Sequence, residues 1–230
     1  MNFRDPKDQG TFPFAFEEYG RSFDGVPLYY VPSSKKVELL VFAGIHGEEA
    51  ETVFLLSRAL RKLNSLPEHV ASILCANPDG VLRGTRGNAR GVDLNRNFPT
   101  RDWKSEKTLS RLVLEAPRVT ELSSGAAPAS EPETQALIAL IDRLKPSAVI
   151  ALHAPLGVVD SRIRSPLEKK LDAFFRLPWV PGIGYATPGS FGRYAAEHFL
   201  ECITLELPRE APEILVSRYA EAFAEFLNTF

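Results

Sequence analysis

Cysteine is scarce in this sequence of 230 residues: Cys75 and Cys202 are the two present, each inside an apolar run. That excludes a disulfide framework, and both read as small buried hydrophobes. An excess of charge of one sign is missing too. The formal net charge of −2 gives no global reason to bind nucleic acid or an anionic membrane. No apolar run approaches the length needed to span a bilayer. The string Met1-Asn2-Phe3-Arg4-Asp5-Pro6-Lys7-Asp8 has neither the apolar stretch nor the small-residue cleavage site of a secretory signal. The expected location is therefore the cytoplasm, with no membrane or nucleic-acid partner. Repeats and low-complexity tracts are also absent. So are the Gly-x-Ser-x-Gly, P-loop and dinucleotide fingerprints, which leaves no competing signal for those chemistries.

What is present is the composition of an ordinary globule, 44% hydrophobic and 24% charged. A chain this long buries roughly 70% or more of its unfolded surface, so one domain over residues 1–230 is the simplest organisation. Eighteen prolines point to many ordered loops. Val37 to Ala43 is a near-continuous apolar run, the mark of a strand buried on both faces, and the segments Val70 to Ala76, Ser147 to Leu152 and Cys202 to Leu207 repeat it. Between them, Val53, Leu56, Leu60 and Leu63 form a helical stripe, as do Leu137, Leu140, Ile141 and Leu144. Ser130-Glu131-Pro132-Glu133 reads as a capping box for the second of these. A last helix is expected over Pro212 to Leu227. Strands alternating with helices predict an α/β fold with a mostly parallel, mixed central sheet flanked by helices.

In such sheets ligands collect outside the carboxyl ends of the strands. His46, Asn77, His153 and Glu206 each sit at or just past the end of a separate predicted strand. The string Gly44-Ile45-His46-Gly47-Glu48-Glu49 puts an imidazole and a carboxylate three residues apart, close enough in a tight turn to reach one ion together. An imidazole with a carboxylate suits zinc, which in catalytic sites takes a third protein ligand and keeps a position open. His153 supplies the third, so His46, Glu49 and His153 are the expected set for one Zn²⁺. Glu48 competes with Glu49 for the carboxylate position, but the i, i+3 spacing favours Glu49. The plainer reading, a solvated loop and helix start, also accounts for acids at 48 and 49, and a histidine at 153 can be a satisfied core residue. His69 and His198 have no comparable context.

Glu206 stands inside an apolar strand, where a carboxylate is costly unless it is paired or functional. It is the expected general base and acid, against the alternative of an edge residue facing solvent. Arg83 to Arg90, together with Asn95 and Arg96, concentrates cations and amides nearby. A hydrolase of anionic amides needs guanidinium groups to hold carboxylates and to stabilise an oxyanion.

These residues, in order, resemble the zinc carboxypeptidase family (the funnelin-like metallocarboxypeptidases), from His-x-x-Glu through Asp93-Leu94-Asn95-Arg96 to the late glutamate. His153 lies 104 residues after Glu49 and Glu206 lies 53 after His153, which also fits that pattern. Four passages are similar to a compact bacterial branch that acts on murein peptides: Asn77 to Pro99, Ser130 to Leu137, Gly184 to Gly192, and Cys202 to Thr204. The resemblance implies zinc on His46, Glu49 and His153 with Glu206 as base. It implies that Arg86 steadies the oxyanion, that Asn95 and Arg96 hold the carboxylate of the terminal residue, and that Tyr185 stands near the family's mobile tyrosine. Glu48 takes the place of an arginine found in digestive members, which speaks against ordinary carboxypeptidase specificity.

The implied activity is hydrolysis of the γ-D-glutamyl–diaminopimelate bond in a free murein tripeptide, a cytoplasmic recycling step. Asp160 is then a candidate for one of the substrate's amino groups. Three alternatives stand beside it: a zinc deacylase of N-acyl amino acids, a general metallocarboxypeptidase, and a binding module without activity. The chain is expected to act as a monomer or homodimer.

Overall fold

The computed structural model describes residues 12–112 and 118–230; the N-terminal string read for a leader lies outside the described residues. In chain order the elements are β1 (Glu17–Arg21), β2 (Pro27–Tyr30), β3 (Leu39–Phe42), α1 (Ala50–Leu60), β4 (Val70–Ile73) and α2 (Pro78–Arg83). A 3₁₀ turn (Leu94–Arg96) follows, then β5 (Lys107–Leu112), β6 (Arg118–Ser123), α3 (Pro132–Leu144), β7 (Ala148–His153) and β8 (Leu156–Asp160). The chain closes with α4 (Pro166–Phe175), β9 (Trp179–Val180), α5 (Phe191–Glu197), β10 (Glu201–Pro208) and α6 (Pro212–Leu227).

Six strands form the central sheet in the order β4-β3-β7-β10-β8-β9. The pairs from β4 to β10 are parallel, β10 and β8 are antiparallel, and β8 and β9 are parallel. The mixed, mostly parallel sheet is thus as expected. The hairpins β1–β2 and β5–β6 are separate ladders, the first tied to β4 by a bridge between Val31 and Ser72. Neither was foreseen, and nor was the antiparallel β8. Their sequences lack the continuous apolar runs that mark doubly buried strands.

Alternation of side chains assigns each strand residue to a core layer. Leu39 and Val41 of β3, Ile150 and Leu152 of β7, and Ile203 and Leu205 of β10 pack against Leu55, Leu56, Leu215 and Phe223 of α1 and α6. Leu40, Phe42, Val149 and Ala151 pack on the other face with Leu137, Leu140 and Phe191 of α3 and α5. Each such side chain contributes about 1.5–3 kcal/mol of burial. On β10 the second face differs: Cys202, Thr204 and Glu206 line an open cavity. Cys202 also packs against the core on the α5 side, and the cavity opens toward the Glu206 end.

Four of the six helices among the described residues carry proline in their first turn, where the lost N–H is not needed. These are four of the eighteen prolines. The capping box expected at Ser130 does not form. Glu131 is the N-cap residue and makes no side-chain cap bond, because the carboxylates of Glu131 and Glu133 are taken by Asn88 Nδ2 at 2.8 and 3.1 Å. Tertiary contacts outbid the local motif. Cys75 and Cys202 are free and partly buried, and burial pushes their thiols up to about 11 and about 12 respectively. Among the described residues no helix is long and apolar enough to cross a membrane.

Candidate active site

The turn after β3 brings the first two donors together. Gly44 adopts φ 65°, a left-handed conformation that suits glycine. A Cβ on Gly47 would lie 2.0 Å from the Gly80 carbonyl carbon, so only glycine allows this turn to rest on α2. Glu49 N–H donates to the His46 carbonyl at 3.2 Å, closing the turn. Glu49 then stands at the N-cap of α1 without capping it. The Thr52 hydroxyl donates to the Glu49 carbonyl at 2.7 Å and accepts from Gly44 N–H. The carboxylate is left to point elsewhere.

It points at two imidazoles. Glu49 Oε1 is 2.6 Å from His46 Nδ1, Glu49 Oε2 is 3.0 Å from His153 Nδ1, and the two Nδ1 atoms are 3.1 Å apart. All three side chains are buried. His46 Nε2 faces Asp93 Oδ1 at 3.3 Å, and a proton on Nε2 leaves the Nδ1 lone pair turned toward the other donors. A carboxylate that fixes a ligand's tautomer from behind is the usual companion of a metal-bound histidine.

The electrostatics agree. Burial and Arg86 work against a charge on His46, yet Glu49 and Asp93 outweigh them and raise its pKa. Glu49 is itself lowered, because the two imidazoles outweigh its burial. The cluster draws positive charge to its centre. Two imidazole nitrogens and a carboxylate, converging with one side open to a cavity, fit a catalytic zinc ion.

Glu206 pairs with His153 across the parallel β7–β10 ladder, which sets the two residues about 4.8 Å apart by strand spacing. It is 7% exposed. Burial pushes its carboxyl up to about 7, with Glu49 adding to the rise and His153, Leu156 N–H and Arg86 opposing it. Leu156 N–H donates to Oε2 at 3.4 Å.

Arg86 approaches from the loop after α2. Its Nε donates to Asp93 Oδ2 at 2.9 Å, and its Nη1 lies 3.3 Å from Glu48 and 3.4 Å from Glu49. Glu48 therefore lies against Arg86, outside the three-donor cluster. Asp93 also accepts from Asn95 N–H at 2.9 Å, capping the 3₁₀ turn. Asn95 Oδ1 accepts from Phe191 N–H at 2.8 Å, and Arg96 Nη1 donates to its neighbour's carbonyl at 2.6 Å.

One cavity of about 1190 Å³ is lined by all nine residues singled out in the sequence. Tyr185 stands at its rim, 62% exposed, and Asp160 in its wall. Asn77, by contrast, is structural: its side chain caps α2 and donates to the Ile45 carbonyl. His69 and His198 bond backbone carbonyls away from the cluster. The residue that the sequence reading passed over is Asp93, which ties Arg86, His46 and the 3₁₀ turn together. Its signal was its place at the head of Asp93-x-Asn95-Arg96.

Comparison with known proteins gives a consistent picture. A zinc carboxypeptidase family model matches residues 12–159. The murein peptide amidase A of Escherichia coli (strain K12) is 44% identical over 225 residues, covering 96% of this chain and 93% of that protein. The protein of the same name from Vibrio campbellii is 39% identical, covering 96% and 90%. Among solved structures, the murein-tripeptide amidase of Escherichia coli O157 superposes with a TM-score of 0.89 at 43% identity, covering 97% of this chain and 96% of that one. The carboxypeptidase A of Helicoverpa armigera shares the fold at a TM-score of 0.67 and 19% identity, with 95% and 67% covered. Family model, sequence likeness and the converging His-Glu-His donors agree, and the chain belongs to the zinc carboxypeptidase family.

Proposed function

We propose that this chain is a zinc-dependent amidase that hydrolyses the bond between γ-D-glutamate and meso-diaminopimelate in the free murein tripeptide L-Ala-γ-D-Glu-meso-diaminopimelate. The observation that carries the hydrolytic reading is a buried carboxylate, Glu206, beside the His46, Glu49 and His153 donors in the wall of an open cavity. The substrate class rests on 44% identity over 96% of the chain to a murein peptide amidase.

In this reading His46, Glu49 and His153 hold one zinc ion. When bound, the ion polarises the scissile carbonyl and lowers the pKa of a coordinated water to about 7. Glu206 accepts a proton from the attacking water and returns it to the leaving amine, the work of a general base and then a general acid. Its carboxyl, raised by burial to about 7, holds a proton and gives it up near neutral pH. Arg86, with Nε and Nη1 already on carboxylates, offers the rest of its fork to the developing oxyanion. Asn95 and Arg96 receive the carboxylate of the leaving residue, and Tyr185 closes from the rim. An enzyme recycling free peptides works in the cytoplasm, which cell fractionation tests.

The test is incubation of the zinc-loaded protein with murein peptides and with α-linked C-terminal dipeptides, followed by mass spectrometry. Release of diaminopimelate from the tripeptide, with little cleavage of α-linked dipeptides, is expected. Equal turnover of both would replace the amidase with a general carboxypeptidase. Turnover of N-acyl amino acids alone would replace it with a deacylase.

A further inference from the structure

The cavity floor is one face of the antiparallel β8–β10 pair. Ile203, Leu205 and Val159 point into the core on the opposite side, so Thr204 and Glu206 of β10, with Leu156 and Asp160 of β8, face the cavity. Asp160 pairs with Thr204, and Glu206 pairs with Val158. Asp160 is thus two residues along and one strand across from Glu206. At about 3.4 Å per residue and about 4.8 Å between strands, that places it about 8 Å from the base.

Asp160 is a half-buried carboxylate with no hydrogen bond or ion pair among the described residues. Its pKa is raised by burial, and His153 opposes the rise. Arg162, two residues further and exposed, lines the same cavity and makes no ion pair among the described residues either. Of the other cavity cations, Arg86 is engaged on Asp93 and Arg193 on Asp102 at 2.9 Å, while Arg96 and Arg209 line the cavity elsewhere. An anion and a cation two residues apart in sequence, both lining one cavity, complement a group carrying one ammonium and one carboxylate.

We propose that Asp160 and Arg162 form a subsite that reads the distal amino-acid centre of the leaving residue, Asp160 taking its ammonium and Arg162 its carboxylate. This rests on the reading of the chain as a murein tripeptide amidase and names the residues that select diaminopimelate over other diamino acids. The dimensions agree. From the scissile carbonyl carbon to the distal ammonium of diaminopimelate runs a chain of seven bonds of about 1.5 Å, which extends to at most about 9 Å in zigzag. A scissile bond at Glu206 therefore brings the distal centre to Asp160. Arg96, on the 3₁₀ turn, serves the carboxylate next to the scissile bond, and the two arginines read different ends of one residue. A site whose charges must be paired rejects ligands that leave them unpaired by factors far larger than a methylene achieves.

The test crosses two variants with four substrates. The tripeptides L-Ala-γ-D-Glu-X carry X as meso-diaminopimelate, L-lysine (no distal carboxylate), L-2-aminopimelate (no distal amine) or L-norleucine (neither). Zinc content and thermal unfolding are checked for each protein. Asp160→Asn is expected to lower kcat/KM for diaminopimelate at least 100-fold and to leave 2-aminopimelate within about 3-fold of the wild-type rate on it. Arg162→Gln is expected to lower diaminopimelate at least 10-fold and to spare lysine. If Asp160→Asn lowers all four substrates alike, or none, Asp160 does not read the distal ammonium and the subsite is overturned. Equal losses on lysine and diaminopimelate in Arg162→Gln overturn the arginine's part. Wild-type protein that cleaves none of the γ-linked tripeptides would instead sink the amidase reading itself.

Discussion

Replacing Asp93 with asparagine probes the joint on which the site turns. The carboxylate is 2% exposed. It accepts from Arg86 Nε at 2.9 Å and from Asn95 N–H at 2.9 Å, and faces His46 Nε2 at 3.3 Å. An amide has one oxygen for these three donors, so its NH₂ must meet a donor: the Arg86 Nε–H if Oδ1 stays on Asn95 and His46. Loss of a charge-assisted hydrogen bond costs about 1.5–3 kcal/mol. Removing one partner of a buried pair costs about 3–5 kcal/mol, and we expect the lower part of that range because the amide keeps two contacts. A partner behind a metal-bound histidine is worth about 10- to 100-fold in metal affinity or activity.

Asp93→Asn should therefore lower stability by about 3 kcal/mol, weaken zinc about 10-fold or more in competition with a chelator, and lower kcat as Arg86 loses its anchor. Burial opposes the charge on Asp93, but Arg86 and His46 hold its carboxyl well below the usual range. A lowered folded pKa gives stability that is complete above the unfolded value of about 4 and is lost as pH falls through the folded one. The part of the stability gap that comes from Asp93's own charge should narrow below about pH 4. Denaturant melts across pH measure it. A variant with unchanged zinc affinity and kcat, or with a gap that widens in acid, would refute this account of Asp93.

Further outcomes follow from the same geometry. Glu206 must be ionised to accept a proton, and burial, the largest influence on it, brings its carboxyl up to about 7; a bound dication favours the ionised form, so kcat/KM should fall on the acid side with a midpoint below 7, and an alkaline midpoint would point to a different base. Arg86→Lys should lower kcat about 100-fold or more, since a point charge replaces a planar fork already tied to Asp93 and Glu48, whereas Arg96→Lys should act mainly on KM; steady-state kinetics separate them. Gly47→Ala should lower stability by about 1–3 kcal/mol or more, because its Cβ meets the Gly80 and Val81 backbone at 2.0 and 2.4 Å; an unchanged melting curve would mean that the turn is not packed on α2.

The parts of the fold that could be read from the sequence are those in which burial writes itself into composition. β3, β4, β7 and β10 are apolar on both faces, so their existence and the residues at their ends were visible, although the ladders begin or stop up to three residues away from the apolar runs. Of the polar residues at those ends, His46, His153 and Glu206 line one cavity, whereas Asn77 caps α2 instead. What could not be read depends on partners distant in sequence. Asp93 matters because Arg86 and His46 come to it, and its place at the head of Asp93-x-Asn95-Arg96 marks the residue without naming those partners. Glu131 and Glu133 look like a capping box until Asn88, more than 40 residues earlier, takes both carboxylates. The same holds for β8, whose antiparallel place beside β10 comes from pairing and not from an apolar run.

The central claim is that Glu206 moves the proton while His46, Glu49 and His153 hold the metal. It is tested most directly by Glu206→Gln, which keeps the shape of the side chain and removes its basicity. We expect one zinc per chain by metal analysis, an unchanged fold, and turnover of the murein tripeptide lowered by about 10²- to 10⁴-fold. A zinc-loaded Glu206→Gln protein that releases diaminopimelate at the wild-type rate would contradict the account.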